Sequence, residues 1–531
     1  MIRRNRVPKR SCNAFVATRF LLVCLPTLQI YEKKATVAEL HYCSHSTGSQ
    51  SGKLVSMDYK NIIELMDQHF ASHLTDKKIP GIAYGLIKDG KLIHAKGFGE
   101  TVLDSNSCPD KSSVFRIASM TKSFTATAIL LLRDAGKLRL DDDITIYLPW
   151  TDSIGIPDFG HVITIRDLLT MNAGFPTDDP WGDRQESLEI NSFDDLVSQG
   201  LSFTRAPRMG FEYSNLGYAL LGRIITVTSG MDYLDFVKTA IHEPLKMSSS
   251  TFHQSEVAEK QFVQGYAEFA AGFVPEPLTV PGAFSAMGGL LSNVADLAKW
   301  VASFQTAWNE TSDHPLQKWS RREMQEPQRH ARTAAFTDPH ADQIKSITTS
   351  YGYGLLVDDD SLLGRFVSHS GGYPGFGSHM RWHPESGWGI VALGNRTYAP
   401  MMPAASEAMN IIIRDHVNAP VTSESMLWPD TVAAMSAVEE LIATGNQSIA
   451  DDWFAVNMDL DQPRSERMAA LAGVVGNGSK ISRVSESLKS TTPAHAKWQV
   501  TSDAGLLEIE ILLTPTKPPK IQTIKVAKVP S

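Results

Sequence analysis

The stretch Phe115–Leu132, FRIASMTKSFTATAILLL, decides how the chain is read. It is apolar nearly throughout, yet Ser119 and Lys122 stand three residues apart inside it. A helix that is apolar on all sides is a buried central helix. A lysine is seldom buried without a partner, and burial lowers its pKa because the ammonium loses its hydration. Such a lysine serves as a general base near neutral pH. At i,i+3 the two side chains share one helix face, with Cβ atoms about 5–6 Å apart, so Lys122 is placed to take the Ser119 hydroxyl proton. The free N–H groups of a helix start also favour a nearby oxyanion. The competing reading is an N-cap serine followed by a lysine that reaches solvent. S-x-x-K alone is a weak signal, since chance gives about one match in a chain this long. Here it occurs once, at the head of the most apolar helix.

Two further motifs lie downstream. Tyr213 and Asn215 form Y-x-N in FEYSNLGY, in a loop directly before an amphipathic helix. A phenol near a lysine ammonium is expected to have a lowered pKa and to relay protons. The alternative is a half-buried tyrosine with Asn215 as helix cap. Tyr59-Lys60-Asn61 also fits Y-x-N and reads as the surface of an amphipathic helix. His369-Ser370-Gly371 is the only H-x-G, and Gly371 with Gly372 allows close backbone approach by a ligand. His379 and His383 alternate on the next strand and are read as structural. No cysteine or carboxylate spacing supports a metal site, and no cofactor is implied.

The rest of the chain supplies the frame. DYKNIIELMDQHFASHL, Asp58–Leu74, has helical apolar spacing. GIAYGLIKDGKLIHAKGFGE is a hairpin turning on Asp89-Gly90. The Ser119 helix ends near Gly136, and ITIRDLLTMNAG reads as a helix capped by Thr164 and closed by Gly174. SNLGYALLGRIITVTSG and NVADLAKWVASF are further helices, with a short one near Asp194–Gln199. YGYGLLVDD, GRFVSHSGG, GSHMRWHP and GWGIVALGN are successive antiparallel strands, and Ala405–Val417 is a closing helix. An antiparallel sheet assembled from both chain ends, flanked by helices and carrying a helical subdomain, belongs to the α+β class. Residues 57–417 form this unit, 418–429 a linker, and 430–531 a small α+β accessory domain without a chemical motif. Within the accessory domain, a couple of helices, at most three, run to about Ala472. Leu507, Ile509 and Ile511 then alternate with Glu508 and Glu510 as in a half-buried strand, and KIQTIKVAKV is another.

Composition narrows the function classes. Of 531 residues 42% are hydrophobic and 20% charged, as in a soluble globular protein with a sizeable core. A net charge of −8 argues against nucleic acid as a partner and against a basic membrane-surface protein. The four cysteines end at Cys108, so no disulfide framework staples most of the chain. Residues 1–56 stand apart as a basic extension: six arginines and lysines precede the first acid, Glu32. The apolar run inside it is too short and interrupted for a stable membrane span. It reads as a poor signal peptide, as a transit peptide, or as sequence ahead of a true start at Met57. The last places the protein in the cytoplasm; the other two place it outside the cell or in an organelle.

S-x-x-K, Y-x-N and H-x-G, in this order and at these separations, resemble the serine β-lactamase and penicillin-binding-protein superfamily. The flanks IPGIAYGLIKDGKL, VFRIASMTKSFTA, ITIRDLLTMNAGF, FEYSNLGYALLGRII, GGLLSNVADLAKW and SHSGGYPGFGS narrow the resemblance to its class C-like branch. That branch holds β-lactamases, D-aminopeptidases, D-alanyl-D-alanine carboxypeptidases and esterases, and the resemblance covers roughly Asp58–Val417. It implies Ser119 as acylated nucleophile, Lys122 as its base and Tyr213 as proton shuttle. It implies Asn215 as a group orienting substrate and Lys122, and the Ser119 and Gly372 N–H groups as oxyanion hole. His369 stands where β-lactamases of the branch usually carry lysine, and an imidazole grips a substrate carboxylate less firmly than a permanent ammonium. The resemblance therefore implies an acyl-enzyme serine hydrolase of an amide or ester, with a small molecule or short peptide as substrate and β-lactams disfavoured. The alternative is a silent penicillin-binding-like protein that binds peptide or acts as a scaffold. The loop GFPTDDPWGDRQ would lie at the cleft rim. Asp178, Asp179, Trp181, Asp183 and Arg184 would there select substrate, for instance through a free amino group, although a solvated acidic loop is the favoured reading. Oligomeric state is left open.

Overall fold

The computed structural model describes residues 58–157, 160–308, 314–338, 343–416, 427–475, 480–485 and 487–529. The extension 1–56 and most of the linker 418–429 lie outside the described residues.

Helix α1, Asp58–Asp76, leads into strands β1, Gly81–Lys88, and β2, Lys91–Gly99. Asp89 and Gly90 between them both have positive φ, 49° and 74°, the mirror-image turn that a D-G pair favours. The helices α2, Thr121–Asp134, α3, Asn215–Ser229, and α4, Val294–Gln305, follow. Six strands come next: β3, Arg329–Thr337; β4, Ile344–Tyr351; β5, Leu356–Asp360; β6, Gly364–Tyr373; β7, Phe376–His383; and β8, Trp388–Gly394. Helix α5, Met401–His416, closes the set. All eight strands share one sheet in the order β2-β1-β8-β7-β6-β5-β4-β3, and each neighbouring pair is antiparallel. Ile82 thus pairs with Gly394, which welds the N-terminal hairpin to the last strand.

Both faces of β1 are buried, and strand alternation divides them. Ile82, Tyr84 and Leu86 pack with Met66 and Phe70 of α1 and Ala405 and Met409 of α5. Ala83 and Ile87 face the opposite core, with Phe124 and Ile129 of α2 and Val294 and Leu297 of α4. Gly85 lets α4 sit against the sheet, because a Cβ there would lie 2.5 Å from the Val294 side chain. Each such large apolar side chain contributes roughly 1.5–3 kcal/mol by leaving water.

Several boundaries differ from the sequence reading. β3 and β4 carry no clear period-2 apolar signal: β3 is largely exposed, with small and polar residues, and only the cross-strand ladder defines it. YGYGLLVDD is not one strand: Tyr351 ends β4, Tyr353 to Leu355 form a bend, and β5 begins at Leu356. The helix after Thr164 spans only Ile165–Leu169 and ends before Met171, whose φ is +55°; Gly174 lies beyond it. The Thr164 cap is present, as a reciprocal capping box with Asp167.

The C-terminal region has four helices, α6, Pro429–Thr444, α7, Gln447–Trp453, α8, Val456–Asp461, and α9, Arg464–Val475, rather than two or three. A four-stranded antiparallel sheet follows: β9, Ser482–Arg483, β10, His495–Ser502, β11, Gly505–Leu513, and β12, Ile521–Lys528. Leu507, Ile509 and Ile511 are fully buried with Trp498, Val438 and Leu441 in a hydrophobic cluster separate from those of the large sheet.

Candidate active site

Ser119 sits in a single 3-10 turn, Ala118–Met120, that runs directly into α2. Ala118 holds a left-handed backbone, φ +48°, a conformation that costs a non-glycine residue energy and is over-represented at functional sites. β6 and β7 hold this turn from behind. Ser378 Oγ donates to the Ile117 carbonyl at 2.7 Å, and a Cβ on Gly371 would lie 2.2 Å from the same oxygen. Gly371 is therefore a packing glycine, whereas Gly372 lines the cavity above Ser119.

Ser119 does not cap the helix; its Oγ accepts a hydrogen bond from Lys122 Nζ at 3.0 Å. Lys122 is fully buried and does not reach solvent. Its Nζ also donates to Asn215 Oδ1 at 2.7 Å and to the Met287 carbonyl at 2.8 Å, and stands 5.0 Å from the Tyr213 ring centre. Burial pulls its pKa down to about 8, against the opposing pull of Asp179, Asp183 and Asp178.

Tyr213 differs from expectation. Burial, followed by the Asp179 charge, pushes its phenol well above the usual range, so it is a neutral hydroxyl and not a phenolate. Desolvation of the anion outweighs the nearby ammonium. Asn215 does not cap α3 either; Ser214 does, accepting from the Gly217 N–H at 3.3 Å.

His369 is buried on β6, and burial followed by the Lys122 charge holds its pKa near 3. It lies 2.6 Å through Nδ1 from the Ser370 carbonyl, which only accepts, so Nδ1 carries the proton. Nε2 is then the acceptor for the Tyr351 hydroxyl at 3.1 Å. The imidazole is neutral and carries no charge for a substrate carboxylate. His379 is buried beside it and pairs with Ser370 Oγ at 2.9 Å, while His383 bonds Ser386 in the β7–β8 turn and the Leu363 carbonyl in the β5–β6 turn.

The loop after Gly174 is not a solvated acidic loop. Asp178 accepts the Asn215 and Leu216 backbone N–H groups at 2.7 and 2.8 Å, which anchors the loop on the N-terminus of α3. Asp179 accepts from Asn215 Nδ2. Asp183 is buried, accepts from the Tyr398 hydroxyl at 2.8 Å, and has its pKa raised by burial to about 6. Asp179 keeps an exposed edge despite its contact with Asn215, as do Thr177, Pro180, Trp181 and Arg184, and Arg184 pairs with Glu276 at 2.6 Å. A cavity of about 480 Å³ results, lined by Ser119, Tyr213, His369 and Gly372 on one side and by Asp179 and Asp183 on the other. Pro180, Leu356, Ser370 and Tyr398 complete it. Sequence reasoning missed Tyr351, Leu356 and Tyr398, since no motif marks them; only the sheet and the 395–400 turn bring Leu356 and Tyr398 to the cavity and Tyr351 onto His369.

A buried ion pair ties these walls together. Arg116, three residues before Ser119, bonds Glu186 Oε2, and both are at most 1% exposed. The same oxygen accepts the Tyr373 hydroxyl at 2.6 Å and the Thr279 hydroxyl at 2.8 Å.

A beta-lactamase family model matches residues 66–412, well over half of the chain and spanning every residue of this site. The chain belongs to the beta-lactamase family. It is similar to Protein flp of Staphylococcus aureus (strain N315), 27% identical over 358 residues and 66% of each chain. It is also similar to Penicillin-binding protein 4* of Bacillus subtilis (strain 168), 28% identical over 318 residues, 58% of this chain and 66% of that one. The matches thus span about two thirds of these relatives' own length. The octameric penicillin-binding protein homologue from Pyrococcus abyssi shares the fold, with a TM-score of 0.57 at 23% identity, covering 88% of this chain and all of that one. Among the described residues no helix is long and apolar enough to cross a membrane. Among the same residues no group of three or more His, Cys, Asp or Glu side chains is placed to hold a metal ion.

Proposed function

We propose that the chain is a serine hydrolase that cleaves an amide or ester through an acyl-enzyme on Ser119. The observation that carries this reading is the fully buried Lys122 with its Nζ 3.0 Å from Ser119 Oγ, at the base of an open cavity. Lys122, neutral at the moment of attack, takes the hydroxyl proton. Tyr213, a neutral phenol, passes its proton to the leaving group as it regains one from the Lys122 ammonium, and the Ser119 and Gly372 N–H groups stabilise the oxyanion. Asn215 orients Lys122. His369, being neutral, favours substrates that need no carboxylate anchor, so simple esters and peptide amides fit better than β-lactams. Residues 57–417 form the hydrolase unit in this proposal, and 430–531 a structural accessory module; its separate core supports the division.

Labelling with a fluorophosphonate probe and with a fluorescent penicillin tests the reading. Wild type should label and Ser119→Ala should not; equal labelling of the two overturns it. The pH dependence has a definite sign. With a pKa of about 8, roughly a tenth of Lys122 is neutral at pH 7 and most of it at pH 9. The labelling rate should therefore climb about tenfold across that interval. A flat profile would remove Lys122 as the base.

A further inference from the structure

The Asn215 amide lies between two charges. Its Oδ1 accepts from Lys122 Nζ at 2.7 Å, and its Nδ2 donates to the Asp179 carboxylate. An ammonium only donates and an ionised carboxylate only accepts, so only one of the two amide orientations satisfies both neighbours. The flipped amide would point N–H groups at the ammonium and a carbonyl at the carboxylate. The loop is built for this contact: Asp178 fixes its neighbour on the α3 N-terminus, and Gly182 passes where a Cβ would lie 3.0 Å from Asn215.

We infer, granting the hydrolase reading above, that Asp179 is a positioning residue of the reaction, holding Asn215 so that its carbonyl oxygen aligns Lys122 on Ser119. The chain of contacts is Asp179 carboxylate, Asn215 amide, Lys122 amine, Ser119 hydroxyl. The groups facing Lys122 are Ser119, Asn215, the Met287 carbonyl, the Tyr213 and Tyr218 rings, neutral His369, and the charges of Asp179, Asp183 and Asp178. Asp179 is the largest of the three carboxylate influences and, alone among them, also touches the Asn215 amide side chain. It therefore acts in two separable ways, through a hydrogen bond and through charge.

Two substitutions separate them. Asp179→Asn keeps a carbonyl oxygen for Asn215 Nδ2 and removes the charge. Without that carboxylate the ammonium loses stabilisation, so the Lys122 titration should move down by about one pH unit. The high-pH plateau of fluorophosphonate labelling should fall by about tenfold, since a neutral amide holds Asn215 less firmly than a carboxylate does. Asp179→Ala removes the hydrogen bond as well, and its plateau should fall by about 10²-fold, the usual cost of a misplaced catalytic group. The midpoint is read both from the labelling rate and from NMR titration of ¹³C-labelled lysine, with thermal unfolding recorded alongside. A midpoint unmoved in both variants overturns the inference. Equal plateau losses in the two variants without a shift also overturn it, since they indicate collapse of the loop. If wild type does not label at all, the hydrolase reading fails instead, and the NMR midpoints and Asn215 amide resonances still decide whether Asp179 orients this pair.

Discussion

Replacing Lys122 by alanine should slow acylation by about 10²–10⁴-fold, the usual contribution of a general base. Among the described residues the amine is the one nitrogen hydrogen-bonded to Ser119 Oγ, and it is fully buried among its acceptors. Neither neighbour replaces it as a neutral base, because His369 bonds Tyr351 through its one free acceptor and Tyr213 is a phenol with a raised pKa. Lys122→Arg should be as inactive, since a guanidinium does not give up its proton near neutral pH. The loss must be separated from misfolding. Truncation strips a donor from Asn215 Oδ1 and the Met287 carbonyl, and each unsatisfied buried acceptor costs about 1–3 kcal/mol. Labelling rates measured next to denaturant unfolding resolve the two. A variant that unfolds cooperatively and still acylates within about threefold of wild type would dismiss Lys122 as base.

Glu186→Ala should destabilise the fold by about 3–5 kcal/mol, because it leaves the Arg116 guanidinium buried without its carboxylate. Glu186→Gln should cost less, since a side-chain oxygen remains to accept from Tyr373 and Thr279. The paired change Arg116→Met with Glu186→Leu should recover much of the loss, as apolar replacements of buried ion pairs commonly do. Urea midpoints of the three variants check this; a loss below about 1 kcal/mol for Glu186→Ala would mean that Arg116 finds another partner. The effect reaches the site. Arg116 lies three residues before Ser119, and Tyr373 follows Gly372, so the pair holds both edges of the cavity mouth in register.

Much of this frame is written in local chemistry. The Asp89-Gly90 turn, the Thr164 cap and the apolar run of α2 depend on neighbours a few residues apart, and each is found where the sequence places it. The strands β3 and β4 are not legible, because their residues carry no alternation and only the pairing of β4 with β5 and of β3 with β4 makes them strands. The acidic loop is illegible for a related reason. Asp178, Asp179 and Asp183 look solvated in one dimension, and only the docking of the loop on α3 and Tyr398 gives them partners.

By itself the sequence determined which side chains could meet: Ser119 and Lys122 are one helical turn apart, and that spacing needs no tertiary context. The tertiary structure decided their chemical state. Burial makes Lys122 a weak acid near pH 8 and holds His369 neutral, and desolvation keeps the partly buried Tyr213 protonated. The physical reason is that a pKa depends on the water removed and the charges gathered around a group, and both are supplied by segments far away in the chain.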